Sequence, residues 1–265
     1  MGEQQRQALT EIIQNAVETI EEPLNKVIAL DDDIEAVHQF RVKIRQVRSL
    51  IAFFKPRLNE ELADEINRRL KEMANVFSNV RELDVLYQRW LTIVDDQSPQ
   101  DHDFGLALLQ AKQQARIEAY SHFRATQAKS DIDWIKRTSK NLFSDDKKLG
   151  DFIEQRMKQW LKRIRKGIKK LDITDYPAMH QLRIEIKRLR YALTLLNEHT
   201  DELMSERIKP SKLWAEQLGI VCDYQRNKEM LNELFVRDIE PKIKLLKSMK
   251  NEADEILIQL EKTQL

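Results

Sequence analysis

The chain has 265 residues, 34 % of them charged and 42 % hydrophobic, with 45 Lys and Arg against 44 Asp and Glu. A formal net charge of +1 points to no class of partner, although a neutral sum can hide a basic groove in an acidic shell. A single cysteine, Cys222, excludes an intrachain disulfide framework and a multi-cysteine metal site, and fits a reducing cytoplasm.

With only 5 Gly and 6 Pro, and many Leu, Ile, Glu, Lys, Arg and Gln, the composition predicts an all-α protein. The first residues lack the basic start and apolar run of a secretory signal. No apolar run approaches the ~20 residues of a membrane span. In chain order, Leu9, Ile12, Ile13, Ala16, Val17 and Ile20 predict a helix over about 3–30, interrupted at Pro23. Asp31, Asp32 and Asp33 then offer a cap for a helix ending near Lys55-Pro56. A long apolar stripe from Leu58 to Trp90 predicts one helix over about 57–94. After a turn-rich stretch at 95–101, helices are expected over about 103–129 and 132–143. Residues 144–150 read as the join to a second half, with helices over about 151–171, 176–199, 210–236 and from Pro241 to near Lys262.

Two of these helices contain near copies of one segment. HQFRVKIRQVR runs from His38 to Arg48, and HQLRIEIKRLR from His180 to Arg190. Both place His, Arg, Arg or Lys, and Arg at offsets 0, 3, 7 and 10. At roughly 100° per residue these side chains share about 80° of arc in a row about 15 Å long. Phe40, Ile44, Val47 and Ile51, and in the second copy Leu182, Ile186, Leu189 and Leu193, make the neighbouring apolar face. The copies lie 142 residues apart, and a shift of 141 brings Lys71 onto Lys212, Phe77 onto Leu218, Ser78 onto Gly219 and Glu82 onto Asp223. The pattern is that of a tandem duplication: repeats over 1–145 and 146–265 form one domain of two four-helix bundles, related by a pseudo-twofold, with an extra short helix at the join.

The two motifs, HxxRVxxRxxR and HxxRxxxKRLRY, resemble the CHAD family, the conserved histidine α-helical domain, in a stand-alone form without the CYTH domain that some members carry. RELDV at Arg81–Val85, and Leu218, Gly219 and Asp223, are similar to further family motifs. Glu82, Ser78 and Thr194 depart from the usual Asp, Gly and Glu. The resemblance implies a helical double bundle that binds inorganic polyphosphate in a central basic groove and does not catalyse a reaction. It also implies recruitment to polyphosphate granules or support of a partner enzyme of polyphosphate metabolism.

The chemistry suits that ligand. A linear polyanion with no base or apolar part is held by charge-assisted hydrogen bonds and counterion release. Arg grips phosphate oxygens bidentately and Lys serves as a point charge. The candidate polyphosphate-binding residues are His38, Arg41, Arg45, Arg48, His180, Arg183, Lys187 and Arg190, then Arg188, Lys71, Lys212 and Arg81. Arg116, Arg124, Arg156, Arg163 and Lys166 read first as solvated surface. Both histidines are expected neutral in the empty site because of nearby Arg, with affinity rising as pH falls through about 6.5. Sulfate or phosphate would stand in for the ligand in crystals. No cofactor or metal is expected. Glu35-x-x-His38 matches half of a di-metal carboxylate site, but Pro177 holds the corresponding place before His180. A scaffold or RNA-backbone-binding module is the other alternative; 7 % aromatic residues weaken a base-stacking role.

Overall fold

Apolar residues at helical spacing are buried along each expected helix, and the helices they define pack around one central pair. The computed structural model of the chain describes residues 2–29, 34–95, 98–143, 149–172, 174–196 and 203–264. Every regular element among them is helical, and one isolated β-bridge joins Leu58 to Phe143. The helices are α1 (Gly2–Glu18), α2 (Glu21–Ile28), α3 (Ile34–Phe54), α4 (Glu60–Val76), α5 (Ser78–Leu91), α6 (Pro99–His122), α7 (Ala125–Thr138), α8 (Leu149–Lys169), α9 (Tyr176–Leu196), α10 (Leu203–Leu234) and α11 (Glu240–Gln264). The central pair is α3 and α9, the carriers of the two His/Arg segments, which pack against each other more extensively than any other two helices.

The stripes predicted to face the core do so. Phe40, Ile44 and Val47 on α3, and Ile186 and Leu189 on α9, are fully buried. Removing such side chains from water stabilises the fold by roughly 1.5–3 kcal/mol each. The first half is more broken than expected, with seven α-helices among the described residues. The N-terminal helix breaks at Thr19-Ile20, ahead of Pro23, which sits in the first turn of α2 where its missing N–H costs nothing. The helix expected over 57–94 divides at Phe77. That ring is fully buried against Phe40 and Phe123, at 6.1 and 5.0 Å between centroids. The helices expected over 103–129 and 132–143 instead divide at Phe123-Arg124. Phe123 takes extended backbone, φ −75° and ψ 114°, as its ring joins the same aromatic cluster. Ser98 caps α6 by accepting from the Asp101 N–H at 3.2 Å, with Pro99 at its first position. In the second half α10 begins at Leu203, ahead of Pro210. The Asp31–Asp33 cap and most of the join at 144–150 lie outside the described residues.

The two halves share a core. One hydrophobic cluster runs through both. Phe53 on α3 meets Trp160 on α8 at 5.4 Å, and Phe104 on α6 meets Phe235 beyond α10 at 4.6 Å. Arg89 pairs with Glu252, and Lys244 with Asp101 at 2.8 Å, tying α5 and α6 to α11. Close packing of α8 on α9 depends on Gly167, where a Cβ would stand 2.9 Å from the Leu182 methyl.

Candidate anion-binding groove

Because α3 and α9 bury their apolar arcs, the adjoining basic arcs are left to face one another. Between them lies a groove of about 660 Å³, walled also by α4, α5 and α10. Among the described residues, nine Arg and Lys line it (Arg41, Arg45, Arg48, Lys55, Arg81, Arg183, Lys187, Arg188 and Arg226) together with His180, against three carboxylates, Asp64, Glu82 and Asp223.

The cations divide by their partners. Arg41 is only 6 % exposed; its guanidinium donates to the Ala74 carbonyl at the end of α4 and to Ser78 Oγ at 2.9 Å. Burial, then Arg45, brings its pKa down to about 10. Arg48 donates to Asn67 Oδ1 at 2.8 Å, Arg183 pairs with Asp223 at 2.9 Å, and Arg226 reaches Glu82 on α5 at 3.0 Å. Lys55 pairs with Asp64 and Glu60 at 3.2 and 3.5 Å. Arg45, Arg81, Lys187 and Arg188 have no hydrogen-bond acceptor or carboxylate partner among the described residues.

These free charges lie close enough to be felt. Burial first, then Arg183, bring Lys187 down to about 8; the Asp223 charge opposes the shift, and Arg45, across the groove, adds to it. Burial, then Arg188 and Arg45, lower Arg48. His180 is lowered by burial and then by Arg183, and its buried Nδ1 has no partner among the described residues. His38 is lowered by burial and then by Arg81. The expected direction holds for both rings, with lost hydration the largest single cause in each. At the start of α9, Asp175 accepts the Ala178 N–H at 2.9 Å, so a carboxylate already occupies the amide end nearest His180.

Eight of the candidate residues therefore share one groove: Arg41, Arg45, Arg48, Arg81, His180, Arg183, Lys187 and Arg188. Four lie outside its lining. His38 sits at the end of the α3 row, within the field of Arg41, Arg45 and Arg81. Arg190 lies over the Tyr191 ring at 5.4 Å. Lys71 and Lys212 are exposed on α4 and α10. On α9 the groove sees Ile184, Arg188 and Tyr191, an arc turned away from Arg190. The groove also takes in Lys55 and Arg226, which the sequence patterns do not single out. Continuing the α3 spacing by seven beyond Arg48 reaches Lys55, so that signal is present in the sequence. Arg226 corresponds to Val85 under the 141-residue shift, so the repeat is silent about it. The shift is mirrored in the packing elsewhere: Arg41 meets Ser78 in the first half, and Arg183 lies 3.6 Å from where a Cβ on Gly219 would stand in the second.

The family model described as the CHAD domain matches residues 11–232. The chain belongs to the CHAD family. Its fold is similar to the crystal structure of the CHAD domain from the plant Ricinus communis, with a TM-score of 0.71, 22 % identity, and coverage of 96 % of this chain and 86 % of that one. It is also similar to PptA from Streptomyces chartreusis, with a TM-score of 0.74, 12 % identity, and coverage of 97 % and 98 %. No curated protein matches the sequence. Two departures of this CHAD chain have structural uses: Ser78 hydrogen-bonds Arg41, and Glu82 holds Arg226 across the groove. Asp84 of the RELDV segment is wholly buried with Lys112 at 3.2 Å, which places it in the scaffold. Among the described residues no three His, Cys, Asp or Glu side chains converge as metal ligands, and no helix is long and apolar enough to cross a membrane.

Proposed function

We propose that this CHAD chain binds inorganic polyphosphate in the groove between α3 and α9 and performs no reaction on it. The observation that carries the proposal is the convergence of Arg45, Arg81, Lys187 and Arg188 without carboxylate partners among the described residues. Like charges held together in a half-buried groove disfavour the empty protein, and a polyanion relieves that repulsion. Residues 1–265 act as one unit in which each repeat supplies one wall. Arg45, Arg81, Lys187 and Arg188 grip phosphate oxygens directly. Arg41, Arg48 and Arg183 hold the walls and add charge, and His180 offers a ring whose protonation from solvent a bound polyanion favours.

The cysteine of the groove is not an activated nucleophile. Burial raises the Cys222 thiol, which keeps it protonated and unreactive. Binding therefore serves to recruit the protein, or a partner enzyme of polyphosphate metabolism, to polyphosphate in the cytoplasm, including its granules. Preference for this ligand over RNA follows from a groove with cations on both long walls and two tyrosines, Tyr176 and Tyr191, as its aromatic residues.

The decisive experiment reverses the two unpaired charges that oppose one another. The variant Arg45→Glu with Lys187→Glu is expected to keep its helical circular dichroism and lose polyphosphate binding in titration calorimetry. Retained binding would remove these walls from the site. Competition separates the alternative: RNA of equal charge should displace polyphosphate poorly.

A further inference from the structure

A second, smaller cavity of about 170 Å³ adjoins the groove. Ala52 and Arg188 line both. Beyond them the smaller cavity is walled by Arg156, Trp160 and Arg163 from α8 and by Glu185 from α9. Three guanidinium groups thus face one carboxylate. Arg163 is exposed and has no hydrogen-bond or carboxylate partner among the described residues, while Arg156 donates to the Phe53 carbonyl at 3.1 Å. Burial and then the Arg163 charge lower Arg156. Trp160 is 8 % exposed, and its indole N–H is buried with no acceptor among the described residues. A buried donor without an acceptor is uncommon in a folded protein, and a phosphate oxygen is a strong acceptor.

We infer that this cavity is an exit subsite for a linear polyanion, where the chain leaves the groove over Ala52 and Arg188 and runs along α8. The inference rests on the polyphosphate reading of the groove and extends it to chain length. A short oligomer is held by the groove alone. A long one continues past Arg188 onto Arg163 and Arg156, with Trp160 as an added donor. Glu185 opposes the anion there; at the corresponding place in the first repeat the residue is Lys43. The subsite therefore makes affinity depend on length through α8, a helix outside the His/Arg segments.

Binding of tripolyphosphate and of long-chain polyphosphate by the full chain tests this. Arg163→Glu is expected to weaken long-chain binding several-fold and leave tripolyphosphate binding unchanged. Its plot of log affinity against log salt for the long chain should flatten by about 0.7 for each phosphate that α8 no longer neutralises. Glu185→Gln should strengthen long-chain binding alone, a gain that misfolding does not produce. In ¹⁵N-labelled protein the Trp160 indole resonance should shift with the long chain and stay in place with tripolyphosphate. Unchanged long-chain affinity in both variants, equal changes for both lengths, or a stationary Trp160 resonance would overturn the exit subsite. Wild-type protein that binds neither length overturns the polyphosphate reading itself, and the subsite with it.

Discussion

Arg41 and Arg45 stand one turn apart on α3 and do different work. Arg41 is enclosed and spends its donors on the Ala74 carbonyl and Ser78, whereas Arg45 is exposed in the groove without an acceptor among the described residues. Lys187, which the Arg45 charge reaches from the facing helix, has a pKa of about 8 against an ordinary 10.5. Between these values the unfolded chain holds more protons than the native one, so native stability rises with pH across the window. Below about pH 8 the penalty for the buried charge is fully present. Bound phosphate favours the ammonium and raises its pKa again, so binding above about pH 8 takes up a proton. Affinity is therefore expected to fall about tenfold between pH 7 and 9. Lys187→Arg, which stays charged, should abolish that alkaline slope and leave any gain in affinity from the histidines below about pH 6.5. An alkaline limb that survives Lys187→Arg would assign it to another group. The equivalence of Arg45 and Lys187 is legible in the sequence because both repeats keep the same offset. The difference between Arg41 and Arg45 is not, since it depends on where α4 ends.

Helix identity is legible wherever apolar spacing is long and regular, as along α3, α8 and α9. The breaks at Phe77 and Phe123 are not, because neither carries a Gly or Pro; the chain departs from the helix there to gather Phe40, Phe77 and Phe123 into one cluster. Nor can periodicity show which side of the α9 row faces the groove, which is why Arg190 falls outside the lining and Arg188 within it. The break before α9 is plain from its turn-forming residues, and the cap it supplies has a functional consequence. Asp175 takes the Ala178 N–H and places a negative charge one turn before His180. Asp175→Ala should cost about 1 kcal/mol of stability, the usual loss for such a cap. It should also strengthen polyphosphate binding, because it frees a helix amide end and removes a competing carboxylate. Thermal unfolding of the free protein and calorimetry on the complex would report opposite signs. A variant that loses stability with its affinity unchanged would show that the α9 terminus lies out of the ligand's reach.

A chain with a net charge of +1 gathers nine Arg and Lys around one groove, so its affinity is set by placement rather than by total charge. Salt dependence measures how much of that placement the ligand uses. Each cation that replaces a counterion on a flexible polyanion contributes about 0.7 to the slope of log affinity against log salt. If polyphosphate meets only Arg45, Arg81, Lys187 and Arg188, the slope is about 3. If it also displaces Asp223 from Arg183, Glu82 from Arg226 and the carboxylates from Lys55, and engages Arg41 and Arg48, the slope approaches about 6. The lower value is expected for short chains. The existing pairs already satisfy their Arg and Lys, so exchanging a carboxylate for a phosphate adds little, whereas an unpaired cation brings the full interaction. Glu82→Gln releases Arg226 and should raise the slope by about 0.7 while strengthening binding. A wild-type slope near 6 that Glu82→Gln leaves unchanged would mean the carboxylates are already displaced in the complex, and that the paired and unpaired cations act on the ligand alike.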